Sequence, residues 1–301
     1  MTQRTSLSVY ENGQEISSEE ERSDSLEQLR TVALAQHDGK GDGIARLIFG
    51  SDITPNVLTK ALLIEGDVGS GELARLTMSK LSKLIDGHCG ALEVQATRFP
   101  LDMNRRRDSA ITPDVEDDIK EILLEAYDET RTEILRTLGR LGPGGVVFDV
   151  HSMWPMDLAR SISPKSASAL LDSTASHVLP SNWGRPRQTL VCKGDLSKFP
   201  HLADPELFDA VAREFGAIGL DFTMDRPFGP EYLNITFTGE LYARKKIRSL
   251  IVDVPKHELH EGTREEYATA PWDVKLSQEK IGRIGGALAR AASSVLLSNR
   301  K

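Results

Sequence analysis

Short apolar runs alternate with longer amphipathic ones along this chain, a pattern that predicts strands and helices layered around a largely parallel sheet. Strands are expected at Thr31–Gln36 (TVALAQ), Ala61–Ile64 (ALLI), Ala91–Thr97 (ALEVQAT), Gly145–Val150 (GVVFDV), Thr189–Cys192 (TLVC) and Ile247–Val254 (IRSLIVDV). Each is rich in β-forming residues and bounded by Gly, Pro or Asp. The longest helical pattern runs from Asp114 to Leu141, where Val115, Ile119, Ile122, Ala126, Thr130, Ile134, Leu138 and Leu141 recur every three or four residues. Such spacing makes one face suited to lie on a sheet. Pro113 opens this helix and Gly142-Pro143 closes it. Further helices are expected over Glu72–Ile85 and near Ser277–Leu297, the latter with Ile281, Ile284, Leu288, Ala292 and Val295 on one face.

Two stretches break the alternation. Residues 1–25 hold few large apolar side chains and the cluster Glu19, Glu20 and Glu21, so they are expected to form a mobile acidic tail. Residues 26–301 then make a single α/β/α domain. Within it the segment 161–187, rich in Ser, Pro, Asn and Gly, is expected to be an irregular insertion.

Composition narrows the partners. The 301 residues carry 37 Lys and Arg against 45 Asp and Glu, a formal charge of −8. That balance removes the attraction to phosphate on which nucleic-acid and anionic-membrane binders rely. No apolar run approaches the roughly 20 residues of a membrane-spanning helix. Residues 1–25 also lack the basic, apolar and small-residue order of a secretory signal, so a cytoplasmic protein is expected. Cys89 and Cys192 are not closely spaced and read as inert buried thiols.

Chemistry-bearing residues gather just after strands. His37 follows TVALAQ, His151 follows GVVFDV, and Glu65 and Asp67 follow ALLI. In open parallel sheets, ligands bind outside the carboxyl ends of the strands, so the fold brings such residues together. Two imidazoles and one carboxylate, with a fourth position left for water, form the ligand set of hydrolytic zinc sites. Asp149, two residues before His151, shares its face of the strand and could orient the imidazole. An isolated polar residue after a strand is more often a turn or cap residue than a ligand, and each of these could be one.

Gly66-Asp67-Val68-Gly69-Ser70-Gly71 lies between a strand and a helix, where glycines can cradle phosphate, but it lacks the Lys-Ser/Thr of a P-loop. The alternative is a tight turn that sets Asp67 at its edge. Arg98, Asp102, Asn104, Arg105, Arg106 and Arg107 follow ALEVQAT. They read either as a solvated loop of local ion pairs or as a clamp in which Arg105 grips a substrate carboxylate and Asn104 adds a donor. Asp253 interrupts the apolar run of the last strand, as a general base or as a partner of a cation such as Lys256.

Together TRFPLDMNR, VVFDVHSM, RPFGPEY and LIVDVP resemble, in order and approximate spacing, the motifs of the N-formylglutamate amidohydrolase family, over roughly Thr31 to Leu259. The resemblance implies an α/β/α sandwich around a mostly parallel mixed sheet, similar to zinc carboxypeptidases. It also implies a zinc-dependent amidohydrolase acting on a small N-acyl amino acid, such as N-formylglutamate, or on a short peptide. By this resemblance one zinc per chain is held by His37, Asp67 and His151, with Asp67 preferred to Glu65. Asn104 and Arg105 anchor the substrate carboxylate, Arg98 stabilises the oxyanion, and Asp253 is the general base. This sequence departs from the pattern at Asp253, where relatives carry Glu, and at Gly229-Pro230-Glu231, where a Gly-Gly pair is usual. Those departures motivate an alternative: a homologue that binds a carboxylated amino acid or peptide with little or no turnover.

Overall fold

Strand β5 (Val146–Met153) is buried at every position, as a parallel strand covered on both faces must be. The computed structural model that contains it describes residues 7–11, 14–15, 29–35, 66–94, 100–113, 115–158, 174–192, 204–224 and 247–298. Around β5 the described residues form an eight-stranded sheet of order β2-β1-β4-β3-β5-β10-β8-β9. Its strands are β1 (Leu7–Glu11), β2 (Gln14–Glu15), β3 (Leu29–Ala35), β4 (His88–Val94), β8 (Thr189–Cys192), β9 (Phe222–Met224) and β10 (Arg248–Pro255), beside β5. The four inner strands β4, β3, β5 and β10 run parallel, whereas β1 and β8 flank them antiparallel. The β5–β10 register sets His151 opposite Asp253, and the β3–β5 register sets Ala35 opposite Val150.

The two-residue period of a strand divides β5 between two cores. Val146, Phe148 and Val150 join the cluster formed with helices α1 (Ser70–Leu81), α3 (Pro205–Ala217) and α5 (Gln278–Ser298). Val147 joins the other cluster, with Leu92 and Val94 of β4 and helix α2 (Asp117–Leu138). The result is the expected three layers, helices on both faces of a mostly parallel mixed sheet. Asp149 and His151 continue the Val147 face, so the polar end of β5 emerges on the α2 side of the sheet.

Several elements differ from their expected bounds or phase. Helix α2 buries Leu123, Tyr127, Thr130, Ile134, Thr137 and Leu138, while Ile122, expected on the buried face, is 55% exposed. Spacings of three and four allow two neighbouring stripes here, and the one carrying the large Tyr127 ring is the one that packs. The face expected of the last helix is the one α5 buries. The expected strand 61–64 lies outside the described residues.

Part of the expected mobile tail is a pair of edge strands. β1 adds antiparallel to β4, with Leu7 opposite Val94 and Glu11 opposite Gly90. Arg75 of α1 donates to Tyr10 Oη at 3.2 Å and lies 5.0 Å from the Tyr10 ring centre. The same guanidinium pairs with Glu72 and with buried Glu93. Burial opposes the Arg75 charge, yet the two carboxylates outweigh it and raise its pKa. Pairing with a distant strand supplies what the polar local composition does not report. Within the expected insertion, β7 (Trp183–Pro186) pairs antiparallel with β6 (Met156–Leu158), which lies just before the insertion, and residues 159–173 lie outside the described region. Cys89 and Cys192 are buried and are not joined in a disulfide.

Candidate functional site

The carboxyl ends of β5 and β10 carry His151 and Asp253, both buried. The turn before α1 brings Asp67 to the same rim. Gly69 makes that turn possible, with φ at +95°, where a Cβ would also sit 3.0 Å from Leu276 Cδ2 and 3.1 Å from Leu259 Cδ1. Ser152 ties the turn to β5 by donating from Oγ to the Val68 carbonyl at 3.1 Å.

His151 is gripped from two sides. Its Nδ1 lies 2.8 Å from Asp67 Oδ2, and its Nε2 faces Asp149 Oδ1 at 3.2 Å. Burial alone would favour the neutral ring, but Asp149 and then Asp67 outweigh it and hold the His151 pKa well above its usual value. Two buried carboxylates around one neutral imidazole carry two negative charges, which a proton on the ring offsets only in part. Such a group suits a divalent cation. A metal there would take the place of the Nδ1 proton while Asp149 still oriented the ring. Two ligand atoms on one tetrahedral zinc stand about 3.3 Å apart, so Asp67 and His151 need separate by only about half an ångström to share one. Among the described residues no group of three ligating side chains occurs. His37, the third ligand expected, and Glu65, the alternative carboxylate, lie outside the described residues.

The segment after β4 arches over this rim. Asp102 accepts from the Asn104 backbone N–H at 2.9 Å and from Arg105 Nε at 3.3 Å, and Leu101 bridges back to Ile111. The arch delivers Asn104, itself buried, with Nδ2 3.4 Å from His151 Nδ1. The Arg105 side chain stays 42% exposed. Tyr127 of α2 fixes this corner by donating from Oη to the Arg105 carbonyl at 2.7 Å. Arg107 pairs outward with Asp128 at 2.9 Å, the local ion pair of a solvated loop. Arg98 lies outside the described residues.

The rim thus collects Asp67, His151, Asp253, Asn104 and, at its edge, Arg105 from four separate stretches of chain. The glycine run forms the tight turn, and its buried Asp67 puts negative charge where a phosphate would have to sit. Tyr127 was missed from the sequence as part of the arch. Its signal was a lone aromatic ring one position off the aliphatic stripe expected on α2.

No protein-family model matches the chain, and no curated protein matches it. Solved structures do. A gene product of Agrobacterium tumefaciens is similar with a TM-score of 0.59 and 15% identity, over 98% of this chain and 96% of that one. N-formylglutamate amidohydrolase from Ralstonia eutropha is similar with a TM-score of 0.49 and 13% identity, over 91% of this chain and 95% of that one. A bacteriophage poly-gamma-glutamate hydrolase gives a TM-score of 0.35 at 11% identity, over 90% and 84% of the two chains. What this chain shares with the Agrobacterium protein is its fold, an α/β architecture kept across nearly the full length of both chains.

Proposed function

We propose that this protein is a metal-dependent amidohydrolase that cleaves the amide bond of an N-acylated amino acid or short peptide. One observation carries the reading: the buried Asp67–His151–Asp149 relay at the carboxyl rim, in register with Asp253 and beside Asn104. The sequence motifs shared with N-formylglutamate amidohydrolases point to the same residues.

Asp67 and His151 would hold the metal, with His37 as third ligand. His37 follows Ala35 by two residues, a reach of at most about 7 Å, and Ala35 pairs with Val150, the neighbour of His151. Zinc bound there would supply Lewis acidity that polarises the amide carbonyl and lowers the pKa of water. Arg105 and Asn104 anchor the substrate carboxylate by charge-assisted hydrogen bonds, and Arg98 stabilises the developing oxyanion. Asp253 accepts the proton of the attacking water as its oxygen bonds to the carbonyl carbon. It returns that proton to the nitrogen as the C–N bond breaks.

The test is metal content together with turnover. Purified protein is expected to contain about one zinc per chain and to lose N-acyl amino acid hydrolysis on chelation. Normal turnover by a His151→Ala variant would refute the mechanism. A second reading, a binding protein of the same fold with little turnover, is favoured by Asp253, one methylene shorter than the Glu of the family motif. Calorimetry beside a rate assay separates the two, since binding without hydrolysis supports the second.

A further inference from the structure

A cleft of about 290 Å³ opens where the start of β8, the residues entering β9 and the 3₁₀ turn Lys256–Glu258 after β10 meet. It adjoins the rim just described, since Leu190 of β8 pairs with Asp253 and the cleft reaches Thr189 and Pro255. None of Asp67, His151, Asp253, Asn104 or Arg105 lines it.

Its wall carries both signs of charge. Arg264, at the start of helix α4 (Arg264–Thr269), and Asp221, just before β9, each line the cleft. Among the described residues neither forms an ion pair, with the other or with anything else. Two other wall arginines are committed: Arg187 to Asp157 at 2.9 Å and Arg283 to Glu258 at 3.6 Å. Buried polar atoms without partners are rare and call for a cause. Two of them belong to this wall, Arg264 Nε and the Oγ1 of Thr189, a residue only 1% exposed.

We propose that this cleft is a binding site for a free α-amino acid in its zwitterionic form. The carboxylate meets Arg264 and the Thr189 hydroxyl, and the ammonium meets Asp221. A simple anion would face Asp221 and Glu258, and a simple cation would face Arg264, so a molecule carrying both charges fits where neither alone does. The volume lies at the low end for small-molecule sites, which suits one amino acid. The site does not depend on the hydrolytic reading, because it shares no side chain with the catalytic rim.

The full chain is screened by thermal shift against the twenty free amino acids at millimolar concentration. The best binder is then titrated calorimetrically beside its desamino and carboxamide derivatives, neither of which is an N-acyl amino acid. Each derivative lacks one charge and is expected to bind about tenfold or more weakly than the free amino acid. Arg264→Gln and Asp221→Asn are each expected to weaken binding similarly, while Arg105→Gln leaves it unchanged. Binding by no amino acid, or equal binding by the desamino form, would overturn the proposal. So would loss in Arg105→Gln with normal binding in both cleft variants, which places the ligand at the catalytic rim. If a cleft variant fails to fold, the derivatives on the unaltered protein decide.

Discussion

His151 and Asp253 occupy one rung of the β5–β10 ladder, on adjacent parallel strands and the same face of the sheet. Neighbouring strands stand about 4.8 Å apart, so a group that binds at His151 comes within reach of the Asp253 carboxylate. Replacing Asp253 by Asn keeps the shape and removes the proposed base. Steady-state kinetics of Asp253→Asn should show kcat lower by about 10²–10⁴ with KM changed little. Asp253→Glu should retain turnover. A kcat near that of the unaltered enzyme in the Asn variant would assign the proton transfer to another group.

Asp149 touches the imidazole from the side opposite Asp67, and its effect should be read in affinity. Asp149→Asn preserves volume but withdraws the charge that orients the ring. Zinc affinity, measured by competition with a chromophoric chelator, is expected to fall about 10–100-fold. Unchanged affinity would mean that the ring is oriented by packing alone.

Gly69 links backbone conformation to the site. Gly69→Ala puts a Cβ at φ +95° against Leu276 and Leu259. A loss of about 1–3 kcal/mol in urea denaturation is expected, with reduced zinc content because the turn carries Asp67. Full stability combined with full metal content would show that the turn tolerates the strain.

Much of this was legible from one chain because its signals are local. Buried central strands are continuous apolar runs, so β5, β8 and β10 were read close to their true bounds, and α5 announced itself by a single stripe. Helix α3 is absent from the expected elements, although Asp204 caps it through Leu207 N, Pro205 opens it, and Leu207, Phe208, Val211 and Phe215 recur along its buried face. Asp149 beside His151 was readable from period two. The arch that brings Asn104 to 3.4 Å from that ring was not, since it depends on Tyr127 and on a bridge between Leu101 and Ile111. Arg264 and Asp221 gave no signal at all. They stand 43 positions apart, and the tertiary fold alone brings both to one cleft.

His260 supplies a pH dependence away from the proposed metal ligands. Burial, with Lys256, Lys280 and His257 nearby, pushes its pKa down to about 4, and its Nδ1–H donates to the Lys256 carbonyl at 2.7 Å. Above the unfolded pKa of about 6.5 the ring is neutral in both states and costs nothing. As pH falls from about 6.5 to about 4 the unfolded chain takes up a proton that the folded one refuses. Stability is expected to drop by about 3 kcal/mol across that window. Urea titrations at successive pH values should show the slope, and His260→Asn should flatten it.

The strand laid by Leu7–Glu11 along β4 has a practical consequence for anyone trimming the protein. A recombinant form starting at residue 26 discards what the polar composition marks as dispensable, yet it strips the cover from a row of backbone donors and acceptors. It also leaves Arg75 without its phenol. Self-association of such a shortened form in size-exclusion chromatography, absent from the intact chain, is the expected outcome.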